Sequence, residues 1–203
     1  MKQEMLLKYG LLMALIMALA AGGAIPYLYE SPSIFYKTGL EKLLLRSGKI
    51  LGIGAVILMG IQVILMGNFK FLTHLFKTKT LYQAHRVNGL ILLAAALAHP
   101  VLILGADNFV FFPLEARYWP EIIGSFLLLF LILFVLFAVW QRKTKISYLI
   151  WKQTHRAGAV LLFSLVFAHV NNVSETFGSG IPFYGLCAVI GIAGLVALKK
   201  ILG

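Results

Sequence analysis

The sequence predicts an all-α integral membrane protein, a bundle of six transmembrane helices. The chain has 203 residues, of which 61% are hydrophobic and 12% are charged, and its mean hydropathy is +0.92. An ordinary soluble domain carries about a quarter charged residues. A membrane-spanning helix needs about 20 apolar residues. Six spans with short connections therefore account for the whole chain as one domain, residues 1–203, and soluble enzyme folds are excluded.

Six apolar runs are bounded by charged residues, proline or glycine. The predicted spans are Tyr9–Leu28, Lys49–Met66, Arg86–Gly105, Ile122–Trp140, Ala157–Val173 and Ile181–Leu198. The first run can also be read as a cleaved signal peptide, since two lysines precede it and it ends in small residues. The aromatic pair Tyr27 and Tyr29 favours a first span that ends in an interfacial belt.

The basic residues predict the orientation of the spans. Of the 18 Lys and Arg residues, thirteen lie at the two termini, between the second and third spans, and between the fourth and fifth spans. The positive-inside rule places these regions, and so both termini, in the cytoplasm. Membrane orientation thus explains the net charge of +11 without a nucleic-acid partner. We expect a multi-pass protein of the cell membrane (inner or plasma), surrounded by the lipid bilayer.

An internal repeat marks the third and fifth spans. The pattern Q-x-H-R begins at Gln83 and again at Gln153, and an Ala-His pair follows at the same distance in both, ending at His99 and His169. The single cysteine, Cys187, excludes a disulfide within the chain and haem attachment through C-x-x-C-H. The repeat thus places four histidines, in two pairs with the same spacing, within otherwise apolar sequence.

The spacing of these histidines predicts two haem sites. A separation of 14 residues is nearly four helical turns, so His85 and His99 project from one face, about 21 Å apart along the axis. The same holds for His155 and His169. Because the third and fifth spans run in the same direction, His85 and His155 share the inner depth, and His99 and His169 the outer depth. Paired neutral imidazoles suit axial ligation of b-type haem, so we expect two stacked haems between these spans.

Basic residues near both depths are candidates for binding the haem propionates. Arg86 and Arg156 directly follow the inner histidines, and Arg46 and Lys49 begin the second span at the outer side. Guanidinium and ammonium groups bind carboxylates strongly. For Arg86 and Arg156, a role as topology signals is an equally good reading.

Other polar and small residues have plainer interpretations. Gln62 and Asn88 are expected to form hydrogen bonds between helices, with cofactor contact as the alternative. Gly48 and Gly52 have the small-residue spacing that permits close helix approach. His74 is expected in a solvated cytoplasmic loop.

These features resemble the ferric reductase-like transmembrane domain family, which includes the membrane part of NADPH oxidases and ferric-chelate reductases. The resemblance rests on six spans and on the H-x13-H pairs of His85 with His99 and His155 with His169. It implies that these histidines ligate the iron of two b haems, which carry electrons singly across the membrane. The donor implied is a cytoplasmic flavin/NAD(P)H reductase, and the acceptor is extracytoplasmic: oxygen, ferric iron or a partner reductase.

Members of that family usually continue into a domain that binds FAD and NADPH, whereas this chain ends five residues after Leu198. It is thus similar to the stand-alone haem subunit of the periplasmic methionine sulfoxide reductase system, with FAD or FMN and NAD(P)H only on a separate partner. That subunit usually lacks the first histidine, and His85 is present here, so the two-haem oxidase pattern fits better. A fragment of a longer oxidase is an open alternative.

Three other functions are compatible with the sequence. A histidine-dependent metal or proton transporter would contain no haem, although such sites usually recruit carboxylates or thiols and the apolar runs contain no Asp or Glu. A structural subunit would tolerate replacement of all four histidines. A quinol-oxidising cytochrome b would take its electrons from quinol rather than flavin.

Overall fold

The computed structural model of the chain describes residues 2–67, 69–110, 115, 118–143 and 145–202, and this part is helical with short connections. In chain order the α-helices are α1 (Lys2–Leu28), α2 (Pro32–Phe35), α3 (Gly39–Met66), α4 (Lys70–Leu75), α5 (Thr78–Gly105), α6 (Trp119–Trp140), α7 (Tyr148–Val173) and α8 (Gly180–Leu202). The prediction of an all-α protein is confirmed for these residues.

Five of the described helices, α1, α3, α5, α6 and α7, are long and apolar enough to cross a membrane. Helix α8 contains a shorter apolar stretch, Gly180–Val196. The chain is a multi-pass membrane protein. The sixth span and the cytoplasmic position of the termini stay predictions.

Most of the helices begin before the apolar runs that predicted them. Helix α5 begins at Thr78 and α7 at Tyr148, so His85 and His155 each lie seven residues inside their helices. The predicted starts of these spans, at Arg86 and Ala157, are therefore too late. Hydropathy marks only the part of a helix that lies in hydrocarbon, whereas the backbone stays helical through the polar interface.

Residues 1–106 form one compact unit, in which α3 packs against both α1 and α5. At one end, the Lys8 ammonium lies 5.5 Å from the ring centroid of Phe76. At the other end, α2 inserts Ile34 into a buried cluster with Leu45 and Ala106. Helices α1 and α5 thus run antiparallel to α3.

Helices α3 and α5 lie close together at Gly48, which is buried. A Cβ atom on Gly48 would lie 2.8 Å from Cδ1 of Ile103 and 3.2 Å from its backbone nitrogen. Such contact leaves no space for a side chain, as the small-residue spacing predicts.

Residues 107–203 form the second compact unit, in which α7 packs against both α6 and α8. Ser147 caps α7, where its hydroxyl accepts the backbone N–H of Ile150 at 3.4 Å. Leu162, Phe163 and Val166 are the buried residues of this helix. The two histidines of the second repeat lie on either side of this apolar segment.

Candidate haem-binding histidines

His99 is half-buried on α5, and its ring is tied to the preceding long helix. Its Nδ1 lies 2.8 Å from the backbone carbonyl oxygen of Gly48 on α3. A carbonyl oxygen only accepts hydrogen bonds, so Nδ1 carries the proton and donates it. The lone pair of the neutral ring is then on Nε2, the nitrogen that could ligate a metal.

His169 on α7 is held in the same way in the second unit. Its Nδ1 donates to the backbone carbonyl oxygen of Pro120, in the first turn of α6, at 2.8 Å. The second histidine of each repeat therefore has a main-chain acceptor on the long helix that precedes its own.

His85 is the first histidine of the repeat on α5. Its Nδ1 lies 3.3 Å from the carbonyl oxygen of Gln62 on α3. One turn further along α5, the side-chain amide of Asn88 donates to the carbonyl of Leu58 and to Oε1 of Gln62, both at 2.9 Å. The expected hydrogen bonds between helices are thus present, and they brace the segment of α3 that accepts from His85.

His155, the first histidine of the repeat on α7, lies between two aromatic rings. Phe134 on α6 stacks on it with 4.5 Å between centroids and 8° between planes. Trp151, one turn earlier on α7, stacks with a spacing of 5.2 Å and an angle of 19°. Gly158 makes room for this arrangement, because a Cβ there would lie 2.5 Å from Cε2 of Phe134. Stacking on both faces restrains the plane of the imidazole ring.

The environments of His85, His99 and His169 fit histidines that ligate haem iron. A metal-bound histidine almost always donates its other ring N–H to a carbonyl, a carboxylate or water, and this bond fixes its tautomer and orientation. His85, His99 and His169 each make such a bond. Within the described ranges, no group of three or more His, Cys, Asp or Glu side chains could hold a metal ion by itself. A haem iron needs at most two protein ligands, because the porphyrin supplies the other nitrogen ligands.

Arg46 and Lys49 lie in a polar cluster at the α2 end of the first unit. The Arg46 guanidinium pairs with Glu30 and lies 4.7 Å from the ring centroid of Tyr27. The Lys49 ammonium donates to the hydroxyl of Ser31, which is buried. Both cations belong to the same end of α3 as the carbonyl that accepts from His99, and they are held in place by the segment that joins α1 to α3.

The other two basic candidates, Arg86 and Arg156, lie in the N-terminal parts of α5 and α7. Arg86 is exposed and Arg156 is half-buried, each directly after its histidine. Their contact with a propionate stays a prediction. His74 is exposed, as expected, but lies on the short helix α4 and not in a loop.

Three neighbours of the histidines were not predicted from the sequence: Phe134 and Trp151, which stack on His155, and Gly124, where a Cβ would lie 2.6 Å from Cε1 of His169. Trp151 precedes His155 by four residues, so helical periodicity alone places it on the same face. Phe134 and Gly124 lie in a uniformly apolar run, where composition does not distinguish the face that meets a neighbouring helix.

The family model described as ferric reductase like transmembrane component matches residues 51–166. The match spans more than half of the chain and includes His85, His99 and His155, and it ends three residues before His169. No curated protein and no solved structure matches the chain. The chain belongs to the ferric reductase-like transmembrane family.

Proposed function

We propose that this protein conducts electrons one at a time across the membrane, using two b haems that are each ligated by two histidines. Family membership supports oxidoreductase character and transmembrane electron transfer. The observation that supports the proposal is that Nδ1 of His85, His99 and His169 each donates to a backbone carbonyl, which leaves the ring lone pair on Nε2, the nitrogen that would ligate iron. When bound, haem supplies reversible one-electron chemistry.

In this proposal His85 and His155 ligate the inner haem, and His99 and His169 ligate the outer haem. The 14-residue spacing within α5 and within α7 separates the two levels by about 21 Å along each helix. Neutral imidazole ligands bring no charge into the hydrocarbon region, where a charge is costly. If two histidines ligate each iron, an acceptor would be reduced without bonding to iron.

The basic residues bind the propionates, with Arg46 and Lys49 at the outer level and Arg86 and Arg156 at the inner level. Glu30 balances one positive charge in the outer cluster. A net positive charge is left for carboxylates, and the contacts of Arg46 and Lys49 already limit their motion. A cation that is held in place loses less side-chain entropy when it binds an anion.

The proposed donor is a cytoplasmic flavin/NAD(P)H reductase that carries FAD or FMN on a separate protein. The proposed acceptor is extracytoplasmic: oxygen, ferric iron or a partner reductase. Exposed Lys77, Lys79 and Lys145 lie near the starts of α5 and α7. Such charges favour encounter with an acidic surface of a reductase and raise the association rate more than the affinity. We place the protein in the cell membrane, inner or plasma.

Electron transfer into closed vesicles tests this function. Purified protein is reconstituted into liposomes that contain ferricyanide, and dithionite is added outside. The wild-type protein is expected to bleach the trapped ferricyanide, while His99→Ala and His155→Ala slow the bleaching at least tenfold. His74→Ala is the matched control and keeps the wild-type rate. Equal rates in the wild type, in the ligand variants and in empty liposomes would contradict the proposal.

A further inference from the structure

The ring of His99 lies directly on the backbone of a glycine. A Cβ atom on Gly52 of α3 would lie 2.9 Å from Nδ1 and 3.0 Å from Cε1 of His99. The same Nδ1 donates to the carbonyl of Gly48, four residues earlier on α3. One turn of α3 therefore supplies both the acceptor that holds the ring and the bare Cα against which the ring rests.

The same arrangement occurs in the second unit, built from different residues. A Cβ atom on Gly124 of α6 would lie 2.6 Å from Cε1 and 2.9 Å from Nδ1 of His169. The acceptor is again four residues earlier, at Pro120. Two helix pairs that share no residue thus place a carbonyl and a glycine in the same relation to the outer histidine.

A side chain at either glycine cannot coexist with the observed ring position. Carbon atoms closer than about 3 Å repel strongly, so the ring or the helix would have to move. The ring is an imidazole whose Nδ1 already has its acceptor at 2.8 Å. A shift of the ring therefore lengthens the bond that fixes its tautomer and turns Nε2 away from its present direction.

Resting on the proposed function, we propose that Gly52 and Gly124 are positioning residues for the outer haem. They allow His99 and His169 to seat against the neighbouring helix as Nδ1–H tautomers, with Nε2 directed to iron. The carbonyl bond makes the imidazole a stronger donor to the metal and thereby favours the oxidised iron. When a side chain displaces the histidine ring from the glycine, the reduction potential of the outer haem rises or the outer haem is released. The inner haem keeps its ligands.

The chain offers two matched controls for a glycine-to-alanine change. Gly54 lies two residues beyond Gly52 on α3, and a Cβ there would meet nothing within 4 Å. Gly22 on α1 is tightly packed, but its Cβ would meet Cδ1 of Ile57 at 2.6 Å. Gly54→Ala shows how alanine affects haem binding at a position with open space. Gly22→Ala shows how a tight contact between helices affects haem binding where no histidine is touched.

The experiment compares Gly52→Ala and Gly124→Ala with both controls in detergent-purified protein. Haem per chain, redox titration and low-spin EPR report each haem. Imidazole ¹⁵N spectra of histidine-labelled, haem-depleted protein report the tautomers without haem, with signals assigned from His99→Gln and His169→Gln. We expect the two test variants to keep the inner haem, to raise the outer potential or lose the outer haem, and to show a mixed tautomer at the affected ring. Both controls should match the wild type.

The inference is overturned if Gly52→Ala and Gly124→Ala keep both haems with unchanged potentials, EPR and ¹⁵N spectra. It is equally overturned if either control causes the same loss, or if the test variants lose both haems together, since helix packing would then explain the effect. Failure of the proposed function appears differently, as wild-type protein without haem. The tautomer of His99 and its response to Gly52→Ala are still measurable in that case.

Discussion

Replacement of Phe134 by leucine removes one of the two rings that hold His155. The Phe134 ring lies 4.5 Å from the imidazole and nearly parallel to it, and Trp151 covers the other face at 5.2 Å. Leucine keeps an apolar side chain in α6 but has no flat face for stacking. The change should therefore loosen the orientation of His155 without unfolding the second unit.

The expected size of the effect follows from the two stacking contacts. An aromatic pair contributes about 0.5–1.5 kcal/mol beyond its buried area, and 1.4 kcal/mol corresponds to a tenfold change in an equilibrium or a rate. Each of Phe134→Leu and Trp151→Leu should speed loss of the inner haem by about 2- to 13-fold. Because both rings restrain one imidazole, the double variant is expected to depart from simple additivity.

Haem transfer to excess apomyoglobin measures this loss. The measurement is made in a His99→Ala background, so that only the inner haem is followed. Phe130→Leu is the matched control, since Phe130 lies one turn away on α6 and its ring contacts Phe134 at 5.8 Å, with no ring contact to His155 among the described pairs. If Phe134→Leu releases haem no faster than Phe130→Leu, the stack does not hold a haem ligand and the reasoning fails.

Three further changes have expected outcomes. Asn88→Ala removes two hydrogen bonds between α5 and α3, including the one to Gln62. Because such bonds in membranes average about 0.6 kcal/mol each, the change should lower the unfolding free energy by about 1 kcal/mol. Unfolding in SDS measures this free energy, and an unchanged midpoint would count against the two bonds. Glu30→Gln removes the carboxylate paired with Arg46, and should raise the outer haem potential, because less negative charge favours the reduced form; a lower potential in redox titration would be the wrong sign. His74→Gln should leave haem content unchanged in absorption spectra, because His74 is exposed on α4, and loss of one haem would make it a ligand.

The shared helix face of each histidine pair could be predicted from sequence, because this prediction needs only the helical periodicity. A 14-residue separation places His85 with His99, and His155 with His169, on one face of each helix, whatever packs against it. Their hydrogen-bond acceptors could not be predicted in this way. Backbone carbonyls are present at every residue, and tertiary packing decides that the one accepting from His99 belongs to Gly48.

The glycines illustrate the same division. Gly48 and Gly52 could be recognised as a close-packing pair from their spacing, but sequence does not reveal that one meets Ile103 and the other meets His99. Gly124 has no small neighbour at that spacing to mark it, because the corresponding position one turn earlier is Pro120. The helix starts were also predicted too late, because the first segments of these helices contain polar residues and lie outside the apolar runs.

Haem stoichiometry across single histidine variants tests the central claim most directly. Oxidised and dithionite-reduced absorption spectra, with a pyridine haemochrome assay, are recorded for the wild type and for His85→Ala, His99→Ala, His155→Ala and His169→Ala. Two b haems per wild-type chain, falling to one in each variant, are the predicted result. Wild-type protein that binds no haem after haem-supplemented expression, or variants that all retain two haems, would contradict the assignment of these histidines as ligands.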